Sequence, residues 1–403
     1  IRYNMTMRKF TPFLFFIMLF GICVVPLFSL FTSGLPITND GQDHVARIAN
    51  FYQSLSEGNI IPRWAGNLNW GYGHPILMFL YPLPSYIGSL FHSIGFSLVS
   101  SVNLVFIVSH IASFFTMYLW MKAAFGKQVA VIGAILYTFA PYRFVDLYVR
   151  GAIGEHVAFV FPPLILFFLY KLSRPRTKNH ELMCGVGLSI SIACLILSHN
   201  AFSLMFLPIA ATYALYLFFT NAKRSICFIW STVFFVLVGF GLASFFWVPA
   251  LLEGRYTLRD IVTKGEALHR FVPVSMFLYS PWVIGGGNDT TKFLGFPQWL
   301  GVLGSIALFV KAKEKKLRWF IGVTLLFLIG SLFIMTSWSG FIWERFMILQ
   351  NFQFPWRFQM VSVFLTALLG GISISYGIAA FKTKKKNIRT YVLIIVCIIS
   401  ILI

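Results

Sequence analysis

Long apolar stretches dominate this sequence and restrict the fold classes that it can adopt. Residues 11–31 contain no charged side chain and residues 354–381 contain a single arginine. An α-helix needs about 20 predominantly apolar residues to cross a bilayer. Of the whole chain, 58% is hydrophobic and 11% is charged, which does not fit an ordinary soluble domain. The runs are continuous rather than alternating, unlike barrel strands. The sequence therefore predicts an all-α, polytopic helical membrane protein.

The lysines and arginines predict how the chain is threaded through the membrane. Such residues collect in cytoplasmic loops, and a cytoplasmic N-terminus puts 21 of the 32 on that side. This requires that the apolar stretch 76–91, short for a crossing and interrupted by Pro82 and Pro84, is a re-entrant or interfacial helix. The expected location is the plasma (inner) membrane. Eleven spans are predicted, at 12–31, 98–121, 128–142, 157–171, 182–198, 201–219, 226–248, 297–310, 317–335, 354–381 and 390–403.

This topology divides the chain into regions. Residues 1–380 form one predicted transmembrane domain with outer loops at 32–97, 143–156 and 249–296. Residues 381–403 are predicted to be a basic cytoplasmic loop and the start of a further span, so the chain is expected to be truncated. The inner loops are too short for a nucleotide-binding domain. The net charge of +20 is explained by topology rather than by nucleic-acid binding.

The opening outer loop predicts a helix with two carboxylates at its start. Asn39 or Asp40 can cap it and Gly58 can end it. One face is apolar and the other faces are polar, so we expect the helix to lie on the membrane surface with its apolar side down. The alternative is a capped interfacial helix with a solvated Asp43–Arg47 ion pair. The apolar positions are Val45, Ile48, Tyr52 and Leu55, and the polar ones are Asp43, His44, Arg47 and Asn50.

Several strings along the chain resemble the GT-C superfamily of polyprenyl-phosphate-dependent membrane glycosyltransferases. They are NDGQDHVARI, GNIIPRWAGNLNWGYGHPILMFLYPLPSYI, YTFAPYRFVDLYVRGAIGEHVAF and FQFPWRF. They are most similar to the bacterial and archaeal family labelled 6-pyruvoyl-tetrahydropterin synthase-related membrane proteins, a label that does not indicate pterin chemistry. The resemblance spans residues 12 to about 360. It implies a GT-C-like fold with a long first outer loop that holds interfacial helices.

The resemblance also implies site residues. The acid after the first span is the supposed catalytic carboxylate, which is Asp40 here with Asp43 as the alternative. A second acidic site falls on Asp146 or Glu155, and we take Glu155 as the third catalytic candidate. The remaining residues are candidates for substrate binding, and they are His44, Arg47, Arg63, Trp64, Tyr72, Arg143, Asp146, Arg150, His156 and Arg357.

Each of these residues has an ordinary structural interpretation beside the functional one. Arg150 and Arg357 suit a donor phosphate but also lipid headgroups or structural ion pairs. Trp64, Trp70 and Tyr72 suit stacking on sugars, although interfacial anchoring is the commoner role. Histidines beside carboxylates leave a divalent metal open as a cofactor, and the sequence requires none. All five cysteines lie in apolar spans, which predicts neither disulfides nor a cysteine metal site.

The predicted function is sugar transfer, with inversion, from a polyprenyl-phosphate donor to an acceptor on the outer face. The expected partners are the bilayer, the lipid-linked sugar, and a glycan, lipid or protein acceptor, with no nucleic acid. The alternative is a GT-C-fold protein without catalysis that acts as a lipid or polysaccharide transporter or scaffold. Convergence of Asp40, Asp43 and Glu155 on one cavity would favour the enzyme.

Overall fold

The regular structure of the chain is helical throughout the part that can be described. The computed structural model describes residues 17–32, 34–220, 226–258, 265–282 and 290–380. Within these ranges a single antiparallel bridge, between Ala65 and His74, stands outside the helices. The predicted all-α class is confirmed. The first half contains α1 (Ile17–Phe31), α2 (Gly41–Ser56), α3 (Ile76–Phe79), α4 (Leu83–Ser93), α5 (Leu98–Phe125), α6 (Lys127–Thr138), α7 (Pro141–Phe144), a π-helix (Val145–Arg150), α8 (Ile153–Ala158), α9 (Phe161–Leu172) and α10 (Lys178–Ser198).

The second half continues the bundle and adds short helices between the long ones. It contains α11 (Asn200–Thr220), α12 (Ile226–Leu242), α13 (Ser244–Glu253), α14 (Val274–Leu278), α15 (Phe296–Lys311), α16 (Lys315–Ile334), α17 (Gly340–Arg345), α18 (Met347–Gln350) and α19 (Gln359–Ala380). Short 3-10 helices occupy Gly254–Tyr256, Glu266–His269, Ser337–Ser339 and Pro355–Phe358.

The number of membrane-crossing helices in the described part is smaller than the eleven predicted. Six helices are long and apolar enough, and two bent pairs raise the number to eight. The bends are 46° between 127–138 and 141–150, and 66° between 226–242 and 244–256. Ile17–Phe31 and Phe296–Lys311 are apolar but shorter. The predicted span 390–403, the start of span 12–31 and the basic loop after 380 lie outside the described residues.

Aromatic side chains build the centre of the bundle. The helix α19 packs against α6, α15 and α16, and its Phe364 stacks on Trp120 of α5 at 5.4 Å between ring centres. Tyr137 and Phe206 meet the same Phe364 ring edge-on. Offset and edge-to-face contacts of this kind add to the burial of large rings. Polar side chains add hydrogen bonds between the same helices, such as those from Ser305 to the carbonyl of Leu369 and from Ser373 to the carbonyl of Gly301.

The helix α2 packs on protein rather than on lipid, which corrects the expected orientation. Its apolar face contacts α4, where Ile48 lies against Gly88 and the rings of Phe51 and Tyr86 are 4.7 Å apart. His44 and Asn50, expected on solvated faces, are both buried. Sequence periodicity identified the apolar face correctly, but periodicity cannot distinguish a lipid surface from a second helix as its partner.

The stretch 76–91 does not form a crossing helix, as predicted. It is divided into α3 and α4, and Pro82 stands at the start of α4. The eleven residues of α4 extend over only about 16 Å, about half the thickness of a bilayer core of about 30 Å. α4 contacts α2, α5, α8 and α10. It therefore packs against the long helices α5 and α10, and α2 contacts both α4 and α5.

Candidate active site

The charged residues of the predicted second outer loop lie in buried helical turns. α7 continues into the π-helix, which ends at Gly151 with a φ of +67°. Single π-helical turns occur frequently at functional sites. Asp146, Arg150 and Glu155 are all buried here, so the stretch 143–156, predicted as an outer loop, is largely helical and buried. Their burial is tolerated because the opposite charges are paired with one another.

Glu155 is at the centre of this arrangement. Its carboxylate accepts two hydrogen bonds of 2.8 Å from Arg150 and one of 2.7 Å from Tyr142 Oη. Arg357 Nε and His199 Nε2 lie 3.4 and 3.7 Å from its Oε1. Both oxygens are thus engaged, and the carboxylate is arranged to hold cations in place. The Glu155 cluster, as we use the term, consists of Tyr142, Asp146, Arg150, Glu155, His199 and Arg357.

Arg150 connects the cluster to an aromatic residue near the end of the chain. It also donates to Asp146 Oδ1 at 2.6 Å, and its guanidinium lies 4.4 Å from the centre of the Trp356 ring. Lys292 Nζ lies 4.8 Å from the same ring and donates to the carbonyl of Thr290. Cations over an indole face are attracted by the ring quadrupole. Two cations therefore share one indole beside Glu155.

Backbone hydrogen bonds fix Asp40 to this cluster. The amides of Asn39 and Asp40 donate to the carbonyls of Val149 and Arg150 at 3.1 and 2.9 Å. Gly151 makes this approach possible, because a Cβ there would collide with Thr38 Oγ1 and crowd Gly41. The start of α2 is therefore joined directly to the end of the π-helix.

The carboxylate of Asp40 is half-buried beside these cations. Asp40 precedes the first residue of α2, but its side chain makes no capping hydrogen bond with the described helix. Burial raises the pKa of Asp40, Arg150 and Arg47 lower it, and Asp43 and Glu155 raise it. The net pKa is above the ordinary value. The backbone bonds from Asn39 and Asp40 to Val149 and Arg150 therefore place Asp40 next to the Glu155 cluster.

The neighbouring candidates on α2 differ in exposure. Asp43 is exposed and pairs with Arg47 at 3.2 Å, as in the interpretation of a solvated ion pair. His44 is buried, and this burial, together with the nearby charge of Arg47, lowers its pKa to about 3. His44 is therefore neutral at physiological pH. Arg47 and His44 line a small cavity with Tyr81, between α2 and the α3–α4 junction.

Arg143 and His156 make their hydrogen-bond and ring contacts with residues outside the Glu155 cluster. Arg143 donates to Ser113 Oγ at 2.9 Å, and its guanidinium lies 4.1 Å from the centre of the Phe159 ring. The ring of His156 stacks on His110 at 5.5 Å. The ring of His156 thus lies against another histidine. Among the described residues no group of three or more His, Cys, Asp and Glu side chains could hold a metal ion.

Arg63, Trp64 and Tyr72 do not join the cluster. All three are exposed in the loop between α2 and α3. That loop is tied to α2 at Asn50, ten residues along the helix from Asp40, which corresponds to about 15 Å. The structure thus divides the substrate-binding candidates into a group at the cluster and a group at the other end of α2.

Four residues of the site were not among the sequence candidates. They are Tyr142, His199, Lys292 and Trp356. His199 interrupts the apolar run between α10 and α11, and its ring lies 5.3 Å from that of Tyr81. This polar residue in a very short connection between two apolar helices is the one feature of the sequence that could have indicated His199. No sequence feature indicated Lys292 or Trp356, because their contacts join parts of the chain far apart in sequence.

An apolar cavity of about 460 Å³ lies beside the cluster. It is bounded by α11, α16, α18 and the start of α19, and its lining includes Pro208, Gly330, Phe352 and Phe358. Arg357 precedes Phe358 in the chain and donates to the carbonyl of Phe352 at 2.8 Å. The cavity therefore ends next to an arginine of the Glu155 cluster.

Comparison with known proteins identifies the family. The family model described as the 6-pyruvoyl-tetrahydropterin synthase related domain, a membrane protein, matches residues 77–403. The chain belongs to this family. An uncharacterized protein of Lactococcus lactis subsp. cremoris (strain MG1363) is 27% identical over 248 residues, which cover 59% of this chain and 39% of that protein. The predicted family is confirmed, and the chain spans well under half of this relative.

Solved structures with the same fold are GT-C glycosyltransferases. ArnT from Cupriavidus metallidurans bound to undecaprenyl phosphate superposes with a TM-score of 0.55 at 12% identity, covering 90% of this chain and 60% of ArnT. The Archaeoglobus fulgidus oligosaccharyltransferase tethered to an acceptor peptide gives 0.55 at 15%, covering 96% and 54%. The mycobacterial arabinofuranosyltransferase AftD gives 0.55 at 13%, covering 96% and 26%. At these identities the likeness shows a GT-C fold.

Proposed function

We propose that this chain transfers a sugar from a polyprenyl-phosphate donor to an acceptor on the extracytoplasmic face of the plasma membrane. The observation that carries the proposal is the position of the apolar cavity, which ends at Arg357 of the Glu155 cluster while Asp40 reaches the same cluster. A donor of this class has an apolar chain, an anionic phosphate and a reactive sugar carbon. The site offers an apolar space, cations and a carboxylate, one for each of these three parts.

The donor phosphate is assigned to Arg357 and its neighbours. Arg357 is partly exposed and lies 3.4 Å from Glu155, whereas Arg150 is engaged by two carboxylates. A guanidinium binds phosphate oxygens through charge-assisted hydrogen bonds. The isoprenoid chain then occupies the apolar cavity, whose lining begins at Phe358. Lys292, over the Trp356 ring, adds positive charge on the same side.

Asp40 is the proposed general base. As the acceptor oxygen forms its bond to the anomeric carbon, Asp40 takes the hydroxyl proton, and the bond from that carbon to the phosphate oxygen breaks. The electron pair leaves with the lipid phosphate, whose charge Arg357 stabilises. A pKa raised toward the working pH makes a carboxylate a better base. Glu155 instead holds Arg150 and Arg357 in place, which replaces its predicted catalytic role.

The test is direct transfer from lipid-linked sugars. Membranes that contain the chain are incubated with polyprenyl-phosphate donors that carry radiolabelled pentoses or hexoses, beside membranes without it. The expected result is labelled product that depends on the chain for at least one donor. Tight binding of donors without transfer to any acceptor would contradict the proposal and favour the non-catalytic scaffold or transporter.

A further inference from the structure

The loop between α2 and α3 holds a tryptophan in an unusual backbone conformation. Gly71 N donates to the carbonyl of Leu68 at 3.3 Å, so Asn69 and Trp70 are the two central residues of a turn, each with a φ of +55°. Paired positive φ angles are the pattern of a type I′ turn, in which glycine is the usual second central residue. A bulky side chain at this position is an outlier.

No packing of the Trp70 side chain within the protein offsets this unfavourable backbone conformation. The side chain is 94% exposed, so it buries almost no surface against the protein. Residues kept in disfavoured backbone regions are concentrated at ligand-binding and catalytic positions. The exposed tryptophan is therefore expected to contact something outside the chain.

The surrounding loop keeps the turn rigid. Asn67 donates through its amide to Asn50 Oδ1 at 2.8 Å, and its side chain donates to Gln53 Oε1 at 2.6 Å. The ring of Trp64 packs so closely on Gly73 that a Cβ there would overlap it. These contacts hold the backbone of the turn against α2, so Trp70 is presented at a fixed place on the surface, as a preorganised binding surface requires.

The position of the turn favours a ligand in water over the bilayer. α2 packs on α4 through Ile48 and Phe51. At 100° per residue, Asn50 and Gln53 are on the side of α2 away from α4. The turn is attached to that side, where the side chain of Asn67 donates to Gln53 Oε1. Polar side chains that bond to one another around an exposed ring favour water over the apolar interior of a bilayer.

We propose that Trp70 and Tyr72 form a subsite for an acceptor glycan of several sugar residues. Tyr72 is 83% exposed two positions after Trp70. Aromatic faces suit the apolar C–H face of a sugar ring, and the side chain of the adjacent Asn69 can bind its hydroxyl groups. Asn50 is about 15 Å along α2 from Asp40, so one sugar cannot occupy both places. This inference rests on the proposed transfer at Asp40.

The test uses a substitution that relieves the strain and removes the ring. Trp70→Gly suits the positive φ, so its Tm is expected to equal or exceed that of the parent. Binding of cello-, chito- and malto-oligosaccharides with two and eight residues is measured by calorimetry in nanodiscs. The longer member of at least one series should bind the parent more tightly, and Trp70→Gly should weaken it about two- to tenfold. Trp70→Phe should retain most of the affinity.

Two controls separate this subsite from other roles. Trp338→Ala removes a tryptophan that is 69% exposed elsewhere and should leave binding unchanged. Asp40→Asn should bind oligosaccharides like the parent, so failure of transfer and failure of the subsite are distinguishable. A parent that does not prefer longer glycans, or unchanged binding by Trp70→Gly, would overturn the proposal. So would quenching by brominated lipids that falls when Trp70 is replaced, which would show a membrane anchor.

Discussion

At the scale of single residues, the carboxylate of Glu155 determines where the surrounding cations lie. It joins Arg150 from its own segment to Arg357 near the end of the described chain. Removing one partner of a buried ion pair leaves the other charge uncompensated, and typically costs about 3–5 kcal/mol. Loss of Glu155 should therefore disturb the fold as well as the chemistry.

We predict that Glu155→Gln lowers the free energy of unfolding by about 3–5 kcal/mol. Asp43→Asn is the matched control, because Asp43 is exposed in its ion pair with the partly buried Arg47 and such a pair contributes about 1 kcal/mol or less. Denaturant titration in detergent micelles compares both variants with the parent. Equal stability of the two variants would show that Glu155 does not hold the cluster together.

The sequence allowed several residues of this site to be predicted, but not the contacts that these residues make with one another. Asp40, Asp146 and Glu155 were named because their positions match the acidic sites that the GT-C resemblance implies, and Arg150 was named because an arginine suits a donor phosphate. Their pairing was not predictable, since it depends on the π-helical turn. The roles of His199 and Trp356 depend on packing between helices that are distant in sequence.

At the scale of elements, the π-helix and the start of α2 act as a connected pair. Gly151 is the point of closest approach, and its φ of +67° already favours glycine. Adding a Cβ there would push Thr38 and the following Asp40 away from the cluster. A displacement of about 1 Å can cost an enzyme about 100-fold in rate.

We predict that Gly151→Ala lowers turnover about 100-fold while donor binding persists. Gly58→Ala is the control, because Gly58 also has a positive φ but a Cβ there would meet nothing within 4 Å. It should reproduce the backbone strain without displacing Asp40. Similar turnover by the two alanine variants would remove Gly151 from the positioning of Asp40.

The elements also show where sequence periodicity stops being informative. Periodicity predicted α2 and its apolar face, and the two prolines correctly indicated that the stretch 76–91 does not form a membrane-crossing helix. It assigned the apolar face to the bilayer, although α4 covers it. Both partners are apolar, so the pattern on α2 alone contains no information about which one is present.

At the scale of the whole molecule, the apolar cavity connects the membrane-spanning part to the site. Gly330 lines it, and a Cβ there would meet nothing within 4 Å. We predict that Gly330→Leu raises the KM for long-chain donors about tenfold, equivalent to two lost methylene contacts at about 0.8 kcal/mol each. Donors with a two-isoprene chain should be unaffected.

Gly241→Leu is the control for the cavity. Gly241 is also open to a side chain but lies on α12, away from the cavity. Its KM for both donors should match that of the parent. Equal effects of Gly330→Leu on long and short donors would argue that the isoprenoid chain lies elsewhere.

Topology is a second property of the whole chain that can be measured. We predict that a cysteine at Phe125, beside Gly126 at the end of α5, reacts with an impermeant maleimide only after cells are opened. A cysteine at Trp70 in the same cysteine-free background should react in intact cells. Labelling at position 125 from outside would reverse the predicted orientation, because the charge distribution requires that connection to be cytoplasmic.

Transfer by purified Asp40→Asn, compared with Asp43→Asn and the parent, tests the proposed chemistry most directly. Asparagine keeps the shape and removes the proton acceptor, so turnover should fall about 10²–10⁴-fold. Donor binding, measured separately, should persist because the anionic donor does not need this carboxylate. Asp43→Asn should retain more activity, since Asp43 is exposed and paired with Arg47. Near-parental turnover by Asp40→Asn, or a greater loss in Asp43→Asn, would contradict the assignment of Asp40 as the base.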